Sequence, residues 1–225
     1  MPLNGTAVAE ILHILAFGDS ITQGGKITAD GVRYGILAPP NGARTSGGYE
    51  PELELDFATQ TRHTAYVYNW GYGGERTDQG VNRIDTVLDS READFILIME
   101  GSNDLYSSVS SMTTRANLRI MIEKSRAKFI APMVATLPPN TARSDGNLIP
   151  TSYNPAIESL AAEKGIALAD QYDALSGNWA AYNSGDGVHL SDAGEEVVAQ
   201  TWLDTLMQYG KLDPVMTPIL QLLLE

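Results

Sequence analysis

The 225-residue chain contains no cysteine, which excludes disulfides, thiolate metal sites and a cysteine nucleophile. Long apolar runs are also missing. Nothing approaches the roughly 18 consecutive apolar residues of a membrane-spanning helix. Positive charge is scarce, with 15 Lys and Arg against 28 Asp and Glu and a formal net charge of −13. A surface of that sign repels phosphate backbones and anionic lipid headgroups, so a nucleic-acid partner is not expected. The first ten residues have neither a basic n-region nor an apolar h-region. The lean is toward an exported protein whose signal lies outside this sequence, and the compartment stays unassigned.

Several chemical signatures are absent too. There is no Gly-x-Ser-x-Gly elbow. Gly25-Lys26 is followed by Ile27, so it is not a P-loop. Gly71-x-Gly73 meets Arg76 where a dinucleotide fingerprint needs a small residue. Asp19 and Asp104 could contribute to a metal site, but no paired-histidine spacing accompanies them. The expectation is therefore no metal and no cofactor.

What is present suits an α/β domain. The hydrophobic share of 43% is ample for a core. Apolar runs at residues 13–17, 66–69, 95–99, 129–136 and 166–169 read as strands buried on both faces. Helical patterns at 49–62, 78–90, 113–128, 153–164 and 191–209 alternate with them. The prediction is a three-layer α/β/α fold with a five-stranded parallel sheet in the flavodoxin-like order 2-1-3-4-5. Residues 1–225 read as one domain, with an extended loop at 24–48 and an apolar tail at 212–225. The tail packs on its own domain or, alternatively, on a second copy in a homodimer.

In such folds the chemistry sits after the strands. Ser20 follows the first strand, where it is either a nucleophile or a plain N-cap. Gly71, Gly73 and Gly74 follow the second, forming a ligand-approaching loop or only a tight turn. Asn103 follows the third, as an amide donor or an ordinary turn residue. The segment 186–189 is sharper. Of three histidines, only His189 has an aspartate three residues before it, in a glycine-containing loop. That spacing lets Asp186 reach the imidazole Nδ1 and leaves Nε2 free as a base. His13 is expected to pack in the first strand and His63 to be solvated.

Together, Gly-Asp-Ser-Ile at 18–21, Asn-x4-Gly at 69–74, Gly-x-Asn-Asp at 101–104 and Asp-x-x-His at 186–189 resemble the SGNH, or GDSL, hydrolases. The resemblance spans most of the chain. It implies Ser20 as nucleophile, Asp186 and His189 as acid and base of a triad, and an oxyanion hole from Ser20, Gly74 and Asn103. Gly74 takes that role over Gly71 and Gly73 because it is the sixth residue counted from Asn69. The implied activity is hydrolysis of short-chain, acetyl-type carboxylic esters through an acyl-enzyme. The stretch at 46–54 is similar to carbohydrate-esterase members and suggests O-acetylated carbohydrate. The alternatives are a longer-chain lipase or thioesterase, or a carbohydrate-binding protein without turnover. Trp70, Tyr72, Tyr106, Trp179 and Tyr182 could stack on sugar or line an acyl pocket, although packing is the commoner role of such residues.

Overall fold

The computed structural model describes residues 11–27, 33–34, 42–44 and 47–210. The 212–225 tail and most of the 24–48 loop lie outside these. In chain order the elements are β1 (Ile11–Gly18), α1 (Ser20–Gln23), β2 (Lys26–Ile27), β3 (Arg33–Tyr34), β4 (Ala43–Arg44), α2 (Glu50–Gln60), β5 (Thr64–Gly71) and α3 (Thr77–Leu88). There follow β6 (Phe95–Met99), α4 (Ser102–Tyr106), α5 (Ser111–Ala127), β7 (Ala131–Ala135), a π-turn (Ile149–Tyr153), α6 (Asn154–Lys164), β8 (Leu168–Ala169), α7 (Gln171–Ser176), α8 (Trp179–Tyr182) and α9 (Asp192–Gly210).

The main sheet runs β4-β5-β1-β6-β7-β8. Its five parallel members take the predicted order 2-1-3-4-5. The addition is β4, which pairs antiparallel with the end of β5 through Ala43 opposite Asn69 and makes the sheet mixed, with six strands. A two-residue strand carries no periodicity, so nothing in the sequence announced it.

β1 shows why the strands lack alternation. Leu12, Ile14 and Ala16 face one layer with Leu53, Phe57 and Trp202. Leu15 and Phe17 face the other with Ile84, Leu118 and Ile157. Each large apolar side chain so buried contributes roughly 1.5–3 kcal/mol. Helices thus cover both faces, as an α/β sheet requires. Among the described residues, no helix is long and apolar enough to cross a membrane.

Among the described residues, the edge of β5 beyond β4 is covered by side chains. Glu54 of α2 accepts the Val67 N–H at 2.7 Å. Arg44 donates to the same carboxylate at 3.0 Å and stacks over Tyr66. The expected strand at 129–136 starts late because Phe129 adopts φ 60° after α5 and is 96% exposed. His13 does pack within β1, its Nδ1 lying 2.9 Å from the Tyr68 hydroxyl. His63 departs from expectation: it is half-buried beside Thr61 rather than solvated.

Candidate active site

β1 delivers its last residue, Gly18, to the carboxyl edge of the sheet, and Asp19 caps α1 by accepting the Ile21 N–H at 2.9 Å. Ser20 opens the helix, so its own N–H belongs to the unpaired first turn. α1 lies tightly against the end of β5. A Cβ on Gly71 would sit 2.1 Å from Gln23 N, so only glycine allows this approach. The buried Asn69 fixes the same junction. Its amide donates to Thr22 O at 2.8 Å, and its carbonyl accepts the Gly71 N–H at 2.9 Å.

The loop before α9 brings its residues to Ser20. Asn183 accepts the N–H groups of Gly185 and Gly187 at 2.8 and 2.9 Å and donates to His189 O. Asp186 Oδ1 accepts the Val188 and His189 N–H groups, both at 2.8 Å. Its Oδ2 lies 2.6 Å from His189 Nδ1. His189 Nε2 lies 2.9 Å from Ser20 Oγ across 169 residues of sequence. Burial raises the Asp186 pKa, but the imidazole contact and the two backbone N–H bonds outweigh it, and the carboxyl falls below its ordinary range. An ionised carboxylate only accepts, so the imidazole proton resides on Nδ1 and Nε2 presents its lone pair to the serine hydroxyl.

The other two segments converge on the same place. Gly74 takes φ 80° in the turn after β5, and a Cβ there would meet nothing within 4 Å. Among the described residues no hydrogen bond holds its N–H. Asn103 lies in α4, a helix too short for its pattern to be read. Its Nδ2 donates to Glu75 O at 2.9 Å and more weakly to Asp19 Oδ2 at 3.3 Å.

Beneath this floor lies a buried acidic group. Burial pushes Asp19 up to about 6, with Glu75 and Asp104 adding to the push against the Ile21 N–H. Glu100 is driven well above its usual range by burial and by the neighbouring Asp19, and neither oxygen has a hydrogen-bond partner among the described residues. Asp104, a candidate metal ligand by sequence, instead accepts from Thr77 N–H, Thr77 Oγ1 and Thr114 Oγ1 at 2.9, 2.5 and 2.5 Å. Among the described residues, no group of three or more His, Asp and Glu side chains is arranged to hold a metal ion.

Of the aromatics singled out, Trp70 and Trp179 are buried in the two core layers and Tyr182 packs against one of them. Tyr72 and Tyr106 are exposed. Sequence reasoning missed Asn69 as a brace, Asn183 as the organiser of the His189 loop, and the Glu75–Arg83 pair. A polar Asn69 within an otherwise apolar strand was the one available signal.

The sequence profile of the GDSL-like lipase/acylhydrolase family matches residues 16–197. A search of curated proteins finds no match. Among solved structures, a lipase/acylhydrolase from Enterococcus faecalis is 22% identical, with a TM-score of 0.66, covering 92% of this chain and 100% of that one. An acetylxylan esterase from Geobacillus stearothermophilus is 19% identical, with a TM-score of 0.67 and coverages of 87% and 94%. A family 3 carbohydrate esterase from Clostridium thermocellum is 18% identical, with a TM-score of 0.69 and coverages of 88% and 96%. At these identities the likeness speaks to the fold, whereas the family profile spans four-fifths of the chain together with the Ser20 turn and the His189 loop. The chain therefore belongs to the GDSL-like lipase/acylhydrolase family and is a carboxylic ester hydrolase.

Proposed function

We propose that Ser20 is the nucleophile, His189 the general base and Asp186 its orienting carboxylate, in a single-domain esterase for acetyl-type esters of carbohydrate. The observation that carries this reading is the continuous chain from Asp186 Oδ2 to His189 Nδ1 at 2.6 Å and from Nε2 to Ser20 Oγ at 2.9 Å. His189 takes the hydroxyl proton as Oγ attacks the ester carbonyl. The tetrahedral oxyanion then receives N–H groups from Ser20, Gly74 and the Asn103 amide. For the last donor, the hydrogen now spent weakly on Asp19 turns to the oxyanion. Each such donor lowers the barrier by about 2.7–4 kcal/mol. His189 returns the proton to the leaving alcohol, and water repeats the sequence on the acyl-enzyme.

The acetyl-carbohydrate part is supported by the acetylxylan and carbohydrate esterases among the structural relatives. A rate profile over p-nitrophenyl esters of increasing chain length and over acetylated xylo-oligosaccharides tests it. Preference for acetyl is expected, and a maximum at long chains would move the reading to a lipase. Ser20→Ala should abolish turnover with an unchanged far-UV circular dichroism spectrum. Full residual activity would refute the nucleophile.

A further inference from the structure

We infer that Arg83 is a positioning residue for the oxyanion hole, its one guanidinium holding the ends of β1 and β5 together and, through Glu75, aiming the Asn103 amide. The inference rests on the triad and oxyanion-hole assignment proposed above. Arg83 lies on α3, away from the Ser20–His189 contact. Its Nε donates to Glu75 at 2.7 and 3.0 Å, and a terminal nitrogen makes a further close contact to the same carboxylate. One terminal nitrogen donates to Trp70 O, near the end of β5, at 2.9 Å. The other reaches Gly18 O, two residues before Ser20, at 3.4 Å. The guanidinium plane rests on Phe17 at 4.2 Å.

Glu75 carries this outward. Its backbone N–H closes the turn on Tyr72 O at 3.1 Å, with Gly74 inside that turn. Its backbone carbonyl is the 2.9 Å acceptor that aims the Asn103 amide. The ends of β1 and β5, and through Asn103 the segment after β6, therefore answer to Arg83.

Stability alone does not call for this arrangement. Glu75 is 4% exposed, and a buried ion pair recovers little beyond its desolvation cost compared with apolar packing. What the planar fork supplies is fixed geometry to several acceptors at once, which a lysine ammonium cannot reproduce.

The test is steady-state kinetics of Arg83→Lys on p-nitrophenyl acetate, with Ser20→Ala and Asn103→Ala as references. Lysine keeps the charge facing Glu75 but cannot span the carbonyls. The expected result is a fall in kcat of about 30–100-fold with KM within about threefold, as a misplacement on the order of 1 Å produces. In the Asn103→Ala background the same change should cost only about threefold, because most of its effect passes through that amide. If Arg83→Lys does not fold, Glu75→Gln weakens the same clamp and should lower kcat in the same direction at constant KM. Wild-type kcat in the variant that folds overturns the inference. So does a loss that persists in full on Asn103→Ala, which would mark general structural damage. Activity surviving in Ser20→Ala is a different failure, that of the nucleophile assignment on which the inference rests.

Discussion

Asp186 divides its two oxygens, one holding the loop backbone and the other the imidazole. Asp186→Asn keeps an acceptor for the backbone but offers an amide donor to Nδ1, which favours the wrong tautomer. Its loss of kcat should be about 10–100-fold smaller than that of Ser20→Ala, and an equal loss in steady-state kinetics would refute the ranking. Gly25 stands beside the same ring. A Cβ there would lie 3.3 Å from His189 Cδ2 and 3.2 Å from Ser20 O, so the imidazole must shift by tenths of an ångström. Gly25→Ala should lower kcat roughly 3–10-fold with an unchanged melting temperature. The Asp186–His189 pair was legible because its partners lie within one four-residue window. Asn183 and Arg83 were not, since their meaning depends on what folding brings beside them: Arg83 binds a carbonyl 65 residues away.

Elements buried on both faces announced themselves as unbroken apolar runs, and long helices as periodic ones. α4, α7 and α8, of four to six residues, are too short to show a period, although α4 carries Asn103. One contact between elements invites measurement. Lys26, just after α1, pairs with Glu195 at 3.0 Å and with Asp192, both in the first turn of α9. This ties the segment following Ser20 to the helix that follows His189. Burial raises the Glu195 pKa while Lys26 opposes it, so removing the lysine strands a largely buried carboxylate. Lys26→Met should cost about 2 kcal/mol in urea unfolding. Because buried pairs are poorly screened, the difference from wild type should survive in 1 M NaCl.

At the scale of the whole molecule, acidity is carried inward as well as on the surface. Burial raises the carboxyls of Asp19, Glu50 and Glu100 alike. A carboxyl held above its unfolded value binds more protons in the folded chain, so its contribution to stability falls as pH rises from the unfolded pKa through the folded one. Glu100→Gln removes one such group without sacrificing a hydrogen bond to either oxygen. The variant should match wild type near pH 4 and gain on it above that, by up to about 1.4 kcal/mol per pH unit. Denaturant titrations at several pH values would show this, and parallel pH profiles would refute it. The opposite margin of the design concerns other chains. An open strand edge is a template onto which a second copy can add a strand, the first step toward fibrils. Here the amide of Val67 is already occupied by Glu54, Arg44 lies over Tyr66, and β4 covers the end of the strand. The edge of β5 therefore offers an incoming strand a charged, partly occupied rim, which disfavours sheet-to-sheet association between copies.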